Sequence, residues 1–99
     1  MSKHSSITEN VERKRFELLF ENETAFVEYL LTKDGQIYLT HTEVPKKIEG
    51  KGVGFELIGQ VLPIIEERNL KLVPLCPFVA TFIRRNTEWK RILADNINI

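Results

Sequence analysis

Ninety-nine residues, 42% of them hydrophobic, allow one compact domain with a modest core and leave little room for a second. Lysine plus arginine and aspartate plus glutamate each total 14, so no long-range field favours nucleic acid as a partner. One cysteine excludes an internal disulfide, no apolar run is long enough to span a bilayer, and Met1-Ser2-Lys3-His4-Ser5-Ser6 lacks a signal-peptide core. A cytoplasmic monomer is expected, with a small-molecule partner, no membrane and no metal.

Residues 1–10 are polar and unpatterned and read as a flexible tail with no role in the fold, so the single domain is expected over 11–95. Phe16, Leu18 and Phe20 alternate with outward neighbours, and residues 25–31 are rich in aromatic and β-branched types. With Glu21-Asn22-Glu23 as the break between them, these two runs predict a hairpin. Lys33-Asp34-Gly35 supplies the next turn, and residues 36–44 run extended until Pro45, which completes a three-stranded antiparallel meander.

Next comes Glu49-Gly50-Lys51-Gly52-Val53-Gly54, which reads as a phosphate cradle. Three glycines at alternate positions let the backbone turn tightly and bring its N–H groups close to an anion, and the following helix points its positive end at the same spot. The period then changes. Phe55, Ile58, Leu62 and Ile65 share one helical face, widened by Leu57, Val61 and Ile64, as in a helix lying across a sheet. Pro63 opposes the carbonyl of Gly59, so the pattern predicts a bend there and not a break. Residues 66–69 close the helix, 70–73 make a short buried strand, Pro77 opens another helix to about Asn86, and a short turn or helix covers 88–93. The order β-β-β-α-β-α defines an α/β (α+β) domain.

Pro74 has no N–H, so the strand before it loses ladder bonding there and leaves a wedge beside the strand ending at Val44. Cys76 falls at the tip of that wedge, at or beside the N-cap of the helix opened by Pro77. A helix dipole there favours thiolate over thiol, whereas the plain alternative is a small buried hydrophobe. His41 shares strand parity with Ile37 and Leu39, which points it to an apolar face. It is either a satisfied interior histidine or the residue that takes a proton from an amine or from Cys76. Glu43, of the same parity, is the second candidate base, and a β-bulge near Thr42 would reverse one of these assignments. Lys46, Lys47 and Lys51 either neutralise phosphate or belong to a solvated loop. Arg84 and Arg85 either complement a helix C-terminus or reach a phosphate. Trp89 is expected in or over the core.

The spacing of His41-Thr42-Glu43-Val44-Pro45, the glycine turn, Pro74-Leu75-Cys76-Pro77-Phe78 and Ile83-Arg84-Arg85-Asn86 resembles the GNAT superfamily of N-acetyltransferases, and within it a small single-domain group. The likeness covers residues 16–93. It implies that Gly50, Lys51, Gly52, Val53 and Gly54 bind the pyrophosphate of acetyl-coenzyme A, and that the pantetheine arm pairs with the strand at Thr42 and Val44 in a V-shaped splay between the two central strands. Lys46, Pro77, Arg84 and Arg85 complete the implied cofactor set, and Cys76 is the implied catalytic residue, through an acetyl-cysteine. Two positions depart from the pattern. Glu49 stands where the motif opens with Gln or Arg, and Phe82 stands where larger members place a tyrosine acid. The implied activity is transfer of acetyl to an amine, on a small molecule or a protein. A non-catalytic coenzyme A binding or sensing module is the alternative, and a P-loop nucleotide site is disfavoured because the turn lacks the Lys-Ser/Thr ending.

Overall fold

Alternation of buried and exposed residues builds a sheet from the first half of the chain, and a 3.6-residue period lays a helix across it. The computed structural model describes residues 6–99. In chain order its elements are β1 (Ile7–Asn10), β2 (Arg15–Phe20), β3 (Glu23–Leu31), β4 (Gln36–Glu43), a 3-10 turn (Lys46–Ile48), α1 (Val53–Glu67), β5 (Lys71–Pro74), α2 (Pro77–Arg85) and a second 3-10 segment (Thr87–Ile92). The sheet has spatial order β1-β2-β3-β4-β5, its first four strands antiparallel and β5 parallel to β4. α1 is therefore the crossover between β4 and β5, so the expected splay lies between β4 and the edge strand β5 and not between two central strands. No helix among the described residues is long and apolar enough to cross a membrane.

The meander thus has four strands and not three. Ile7–Asn10 pairs with β2 from Ile7↔Leu18 to Asn10↔Arg15, so these residues belong to the fold and are no tail; residues 1–5 lie outside the described residues. The strand escapes a hydrophobic-period reading because Ile7 is its sole apolar residue. Polar anchors hold it instead: Glu9 accepts hydrogen bonds from the Tyr29 hydroxyl and, at 2.7 Å, from the Arg68 guanidinium at the end of α1. Burial, reinforced by the Glu9 carboxylate, pushes the Tyr29 phenol up to about 12. At the other end Ala94 N–H donates to Leu72 O at 2.9 Å and Ile99 packs on the core, so the domain also runs past residue 95.

The core lies between one face of the sheet and α1. Phe16, Leu18, Ala25, Val27, Tyr29, Ile37, Leu39 and Leu72 meet Leu57, Ile58, Val61, Leu62 and Ile65, all buried. Each fully buried Leu or Ile contributes roughly 1.5–3 kcal/mol relative to exposure. α1 continues unbroken through Pro63, which faces solvent. It ends in a Schellman motif with Asn69 at φ 59: Leu70 N–H donates to Ile65 O and Asn69 N–H to Glu66 O. The opposite face of the sheet carries Arg15, Glu17, Phe26, Glu28 and the exposed Leu19 and Leu30.

One irregularity decides which residues face the helices. The β3–β4 register passes from Tyr29↔Leu39 to Glu28↔His41, so Thr40 is an extra residue in β4, a bulge whose hydroxyl donates to Glu28 O at 3.3 Å. Beyond it the parity inverts. Thr42, opposite Val27, turns to the helix side, whereas His41 and Glu43, opposite Glu28 and Phe26, turn to the outer face. The expected sharing of an apolar face by His41, Ile37 and Leu39 is therefore corrected: Ile37 and Leu39 are buried, while the His41 and Glu43 side chains are 53% and 57% exposed.

Candidate active site

The glycine turn is anchored by Ile48, buried in the core, and by Ile48 N–H donating to Pro45 O at 3.0 Å. Its glycines serve two different needs. Gly50 and Gly52 lie at φ 81 and 78, in the left-handed region, and a Cβ at either would meet nothing within 4 Å, so open space lies over the turn. Gly54 has an ordinary helical backbone, but its Cβ would stand 2.6 Å from Phe78 Cζ and 3.3 Å from Val44 Cγ2. Close packing, not backbone conformation, requires glycine there. Gly52 is the N-cap of α1 and provides no side-chain cap, which leaves the first N–H groups of the helix directed out over the turn.

Beside the turn opens a cavity of about 370 Å³. Thr42 and Val44 of the β4 end, Gly50, Gly52, Val53 and Gly54 of the turn, and Ile48, Glu49, Phe55 and Phe78 line it. Phe55 meets Phe78 and Phe82 edge-on, with centroids 5.2 and 5.3 Å apart, so the apolar wall continues into the core.

The ladder between β4 and β5 ends at Leu39↔Pro74, with one further bond from Cys76 N–H to Leu39 O at 3.0 Å. Among the described residues, 41–43 of β4 pair only with β3, which is the splay that Pro74 predicts. Cys76 is the N-cap of α2, is 6% exposed, and its thiol donates to Thr42 Oγ1 at 3.3 Å. Thr42 thus touches both the cavity and the cysteine. Pro77 occupies the first turn of α2, where its missing N–H costs nothing.

The remaining candidates divide. His41 Nε2 lies 2.9 Å from Glu43 Oε1 on the outer face, across the strand from Thr42 and away from the cavity lining. Lys51 Nζ sits 2.8 Å from Glu21 Oε1, Lys47 Nζ 3.9 Å from Glu23 Oε2, and Lys46 is exposed in the 3-10 turn. Arg85 lies over the Phe55 ring at 5.6 Å, beside the cavity wall, whereas Arg84 is exposed at the end of α2. Trp89 packs on the core under Arg91. Sequence reasoning missed Phe55 and Phe78 as cavity walls, because a helical face of apolar residues signals core without showing where that core stops. It also missed Glu21 as the partner of Lys51, 30 residues away, for which local patterning holds no signal.

A splayed five-stranded sheet, a crossover helix opening on a glycine turn and a cavity beside that turn define an α/β domain. The sequence profile of the GCN5-related N-acetyl-transferase family matches residues 15–92, and the chain belongs to that family. Acetyl transfer is the family's chemistry. In fold the chain is similar to a GCN5-like protein from Staphylococcus aureus determined by NMR, with TM-score 0.69 and 23% sequence identity over 90% of this chain and 87% of that one. No curated protein matches the chain.

Proposed function

We propose that this domain binds acetyl-coenzyme A and transfers its acetyl group to an amine. The contact between Thr42 and Cys76 carries the reading: it holds a thiol 3.3 Å from a hydroxyl of a residue that lines the cavity beside the glycine turn. Backbone N–H groups at the start of α1, with Lys51 and Lys46 nearby, suit the pyrophosphate. The half-paired end of β4 suits the pantetheine amides, which add to a strand edge as a further strand would. Gly50, Gly52, Val53, Gly54, Thr42 and Val44 form this set, with Pro77 fixing the start of α2 and Arg85 and Arg84 beyond the Phe55 wall.

In the covalent route Cys76, as thiolate, attacks the thioester carbonyl, the carbon–sulfur bond to coenzyme A breaks, and coenzyme A leaves as thiolate. The amine then attacks acetyl-Cys76, the carbon–sulfur bond to Cys76 breaks, and the proton lost by the amine returns to solvent through a base. His41 with Glu43 serves as that base only for an acceptor approaching from the outer face. In the direct route the amine attacks the thioester itself and Cys76 lines the site. An acceptor of either kind, small molecule or protein, meets a shallow site.

Incubation with acetyl-coenzyme A followed by intact mass measurement distinguishes the routes. One added acetyl group in the wild type and none in Cys76→Ala supports the covalent route. Thiol release over a panel of amines without an adduct supports direct transfer. Neither adduct nor thiol release, with coenzyme A still binding, favours the binding module, a reading that Phe82, buried where larger members offer a hydroxyl, also supports.

A further inference from the structure

Two of the three lysines around the glycine turn are already engaged by carboxylates from the β2–β3 hairpin. Lys51 bridges to Glu21 at 2.8 Å and Lys47 to Glu23 at 3.9 Å, whereas Lys46 makes no ion pair among the described residues. A third carboxylate, Glu49, lines the cavity itself. An anion cradle surrounded by three acids is a conflict in local electrostatics.

The hairpin tip is built in a way that turn propensity alone does not explain. Glu21 and Asn22 lie at φ 51 and 66, the pair of left-handed residues that a two-residue type I′ turn requires. Asn suits that region, and the first position also favours Asn, Asp or Gly over a long side chain. A glutamate there accepts backbone strain, and its carboxylate meets Lys51 from 30 residues away.

We infer that Glu21 governs the loading of the phosphate cradle by competing with phosphate for Lys51. In the empty protein Glu21 holds the lysine. An arriving phosphate must draw Lys51 away or share it, and the carboxylate left behind repels the anion. The result is a weaker grip on phosphate and a faster departure of the phosphate-bearing product. This rests on the reading that the cradle receives the coenzyme's phosphates.

Because both side chains are about half exposed, at 45% and 54%, the pair is screened and its effect is modest. Glu21→Gln is expected to tighten coenzyme A binding by about two- to five-fold at low salt, with the gain shrinking as salt rises. Glu21→Asn, which suits the backbone at this position better, is expected to act the same way. Calorimetric titration of coenzyme A into the wild type, both variants, Lys51→Gln and the Glu21→Gln/Lys51→Gln double variant tests the idea. The gain is expected to vanish when Lys51 is absent. Unchanged or weaker binding in the Glu21 variants, or the same gain without Lys51, overturns the inference while leaving the acetyl-coenzyme A reading intact. A wild type that does not bind coenzyme A overturns that reading, and this inference with it.

Discussion

Gly54→Ala separates the two reasons for glycine in the cradle. In a helix the substitution alone would stabilise by up to about 1 kcal/mol. Here the new Cβ stands 2.6 Å from Phe78 Cζ, and ordinary contact begins at 3.4 Å, so the ring must retreat by 3.4 less 2.6, or 0.8 Å, unless the helix moves. Phe78 is packed edge-on against Phe55 at 5.2 Å, and Val44, at 3.3 Å, blocks another direction. Overpacking of this size costs about 1–3 kcal/mol, which leaves a net loss of about 1 kcal/mol. For a domain of this length that lowers Tm by about 4–8 °C. Phe78 lines the cavity, so on the proposed function coenzyme A affinity is expected to fall as well. Thermal melts and calorimetric titration read both effects. In a Phe78→Leu background Gly54→Ala is expected to lose its cost, because the atoms it strikes are gone. Gly52→Ala, at φ 78 with open space around it, is expected to cost about 1–2 kcal/mol in either background. A higher Tm and undiminished affinity for Gly54→Ala would refute the packing argument.

Alkali acts on Tyr29. Its phenol is raised from 10.0 to about 12 in the fold, so the stability it contributes is complete below pH 10 and is lost as pH rises from 10 through 12. In a Tyr38→Phe variant, absorbance of the remaining tyrosinate is expected to rise with a midpoint near 12, and a midpoint near 10 would contradict the burial argument. Acid acts on the same network from the other side. The Arg68 hydrogen bond leads in lowering Glu9 below its usual 4.5, so its contribution is present above that pH and declines as pH falls through the lowered value. Glu9→Gln should therefore flatten the acid limb of a denaturation profile, and an unchanged limb would rule out the anchor. Deletion of Thr40 would make His41 the direct neighbour of Leu39 and restore regular pairing, with Thr42 still toward the helices and His41 and Glu43 still on the outer face. A loss of only about 1 kcal/mol in urea denaturation is expected, from the Thr40 hydrogen bond to Glu28 O, and a loss of several kcal/mol would mean that Thr40 is not the extra residue.

Where burial and period agreed, the fold was readable in advance. Phe16, Leu18, Ile37 and Leu39 mark their strands by alternation, and Ile58, Leu62 and Ile65 mark α1, because each carries its own apolar signal. β1 carried none, since its place depends on Glu9 reaching Tyr29 and Arg68 across the sheet and the helix end. The cavity was legible at the glycines, and the place of Cys76 at the N-cap of α2 followed from cap chemistry. The outward turn of His41 and Glu43 was not, because one inserted residue inverts a period-two reading and leaves no compositional trace. Phe78 was hidden for a related reason. Its role depends on the absence of a side chain at Gly54, a property of the pair and of neither residue alone.

The one-sided pairing of residues 41–43 in β4 has a consequence for how this domain can be observed. Amides on the splay side of that stretch have no ladder partner among the described residues, while β3 is hydrogen-bonded along both edges. Deuterium should enter a peptide covering this part of β4 faster than one from β3, and should slow there when a ligand lies in the splay. The strand end is thus a built-in reporter of occupancy that needs no acceptor and no turnover, and it would register a bound arm even in a chain that had lost its cysteine.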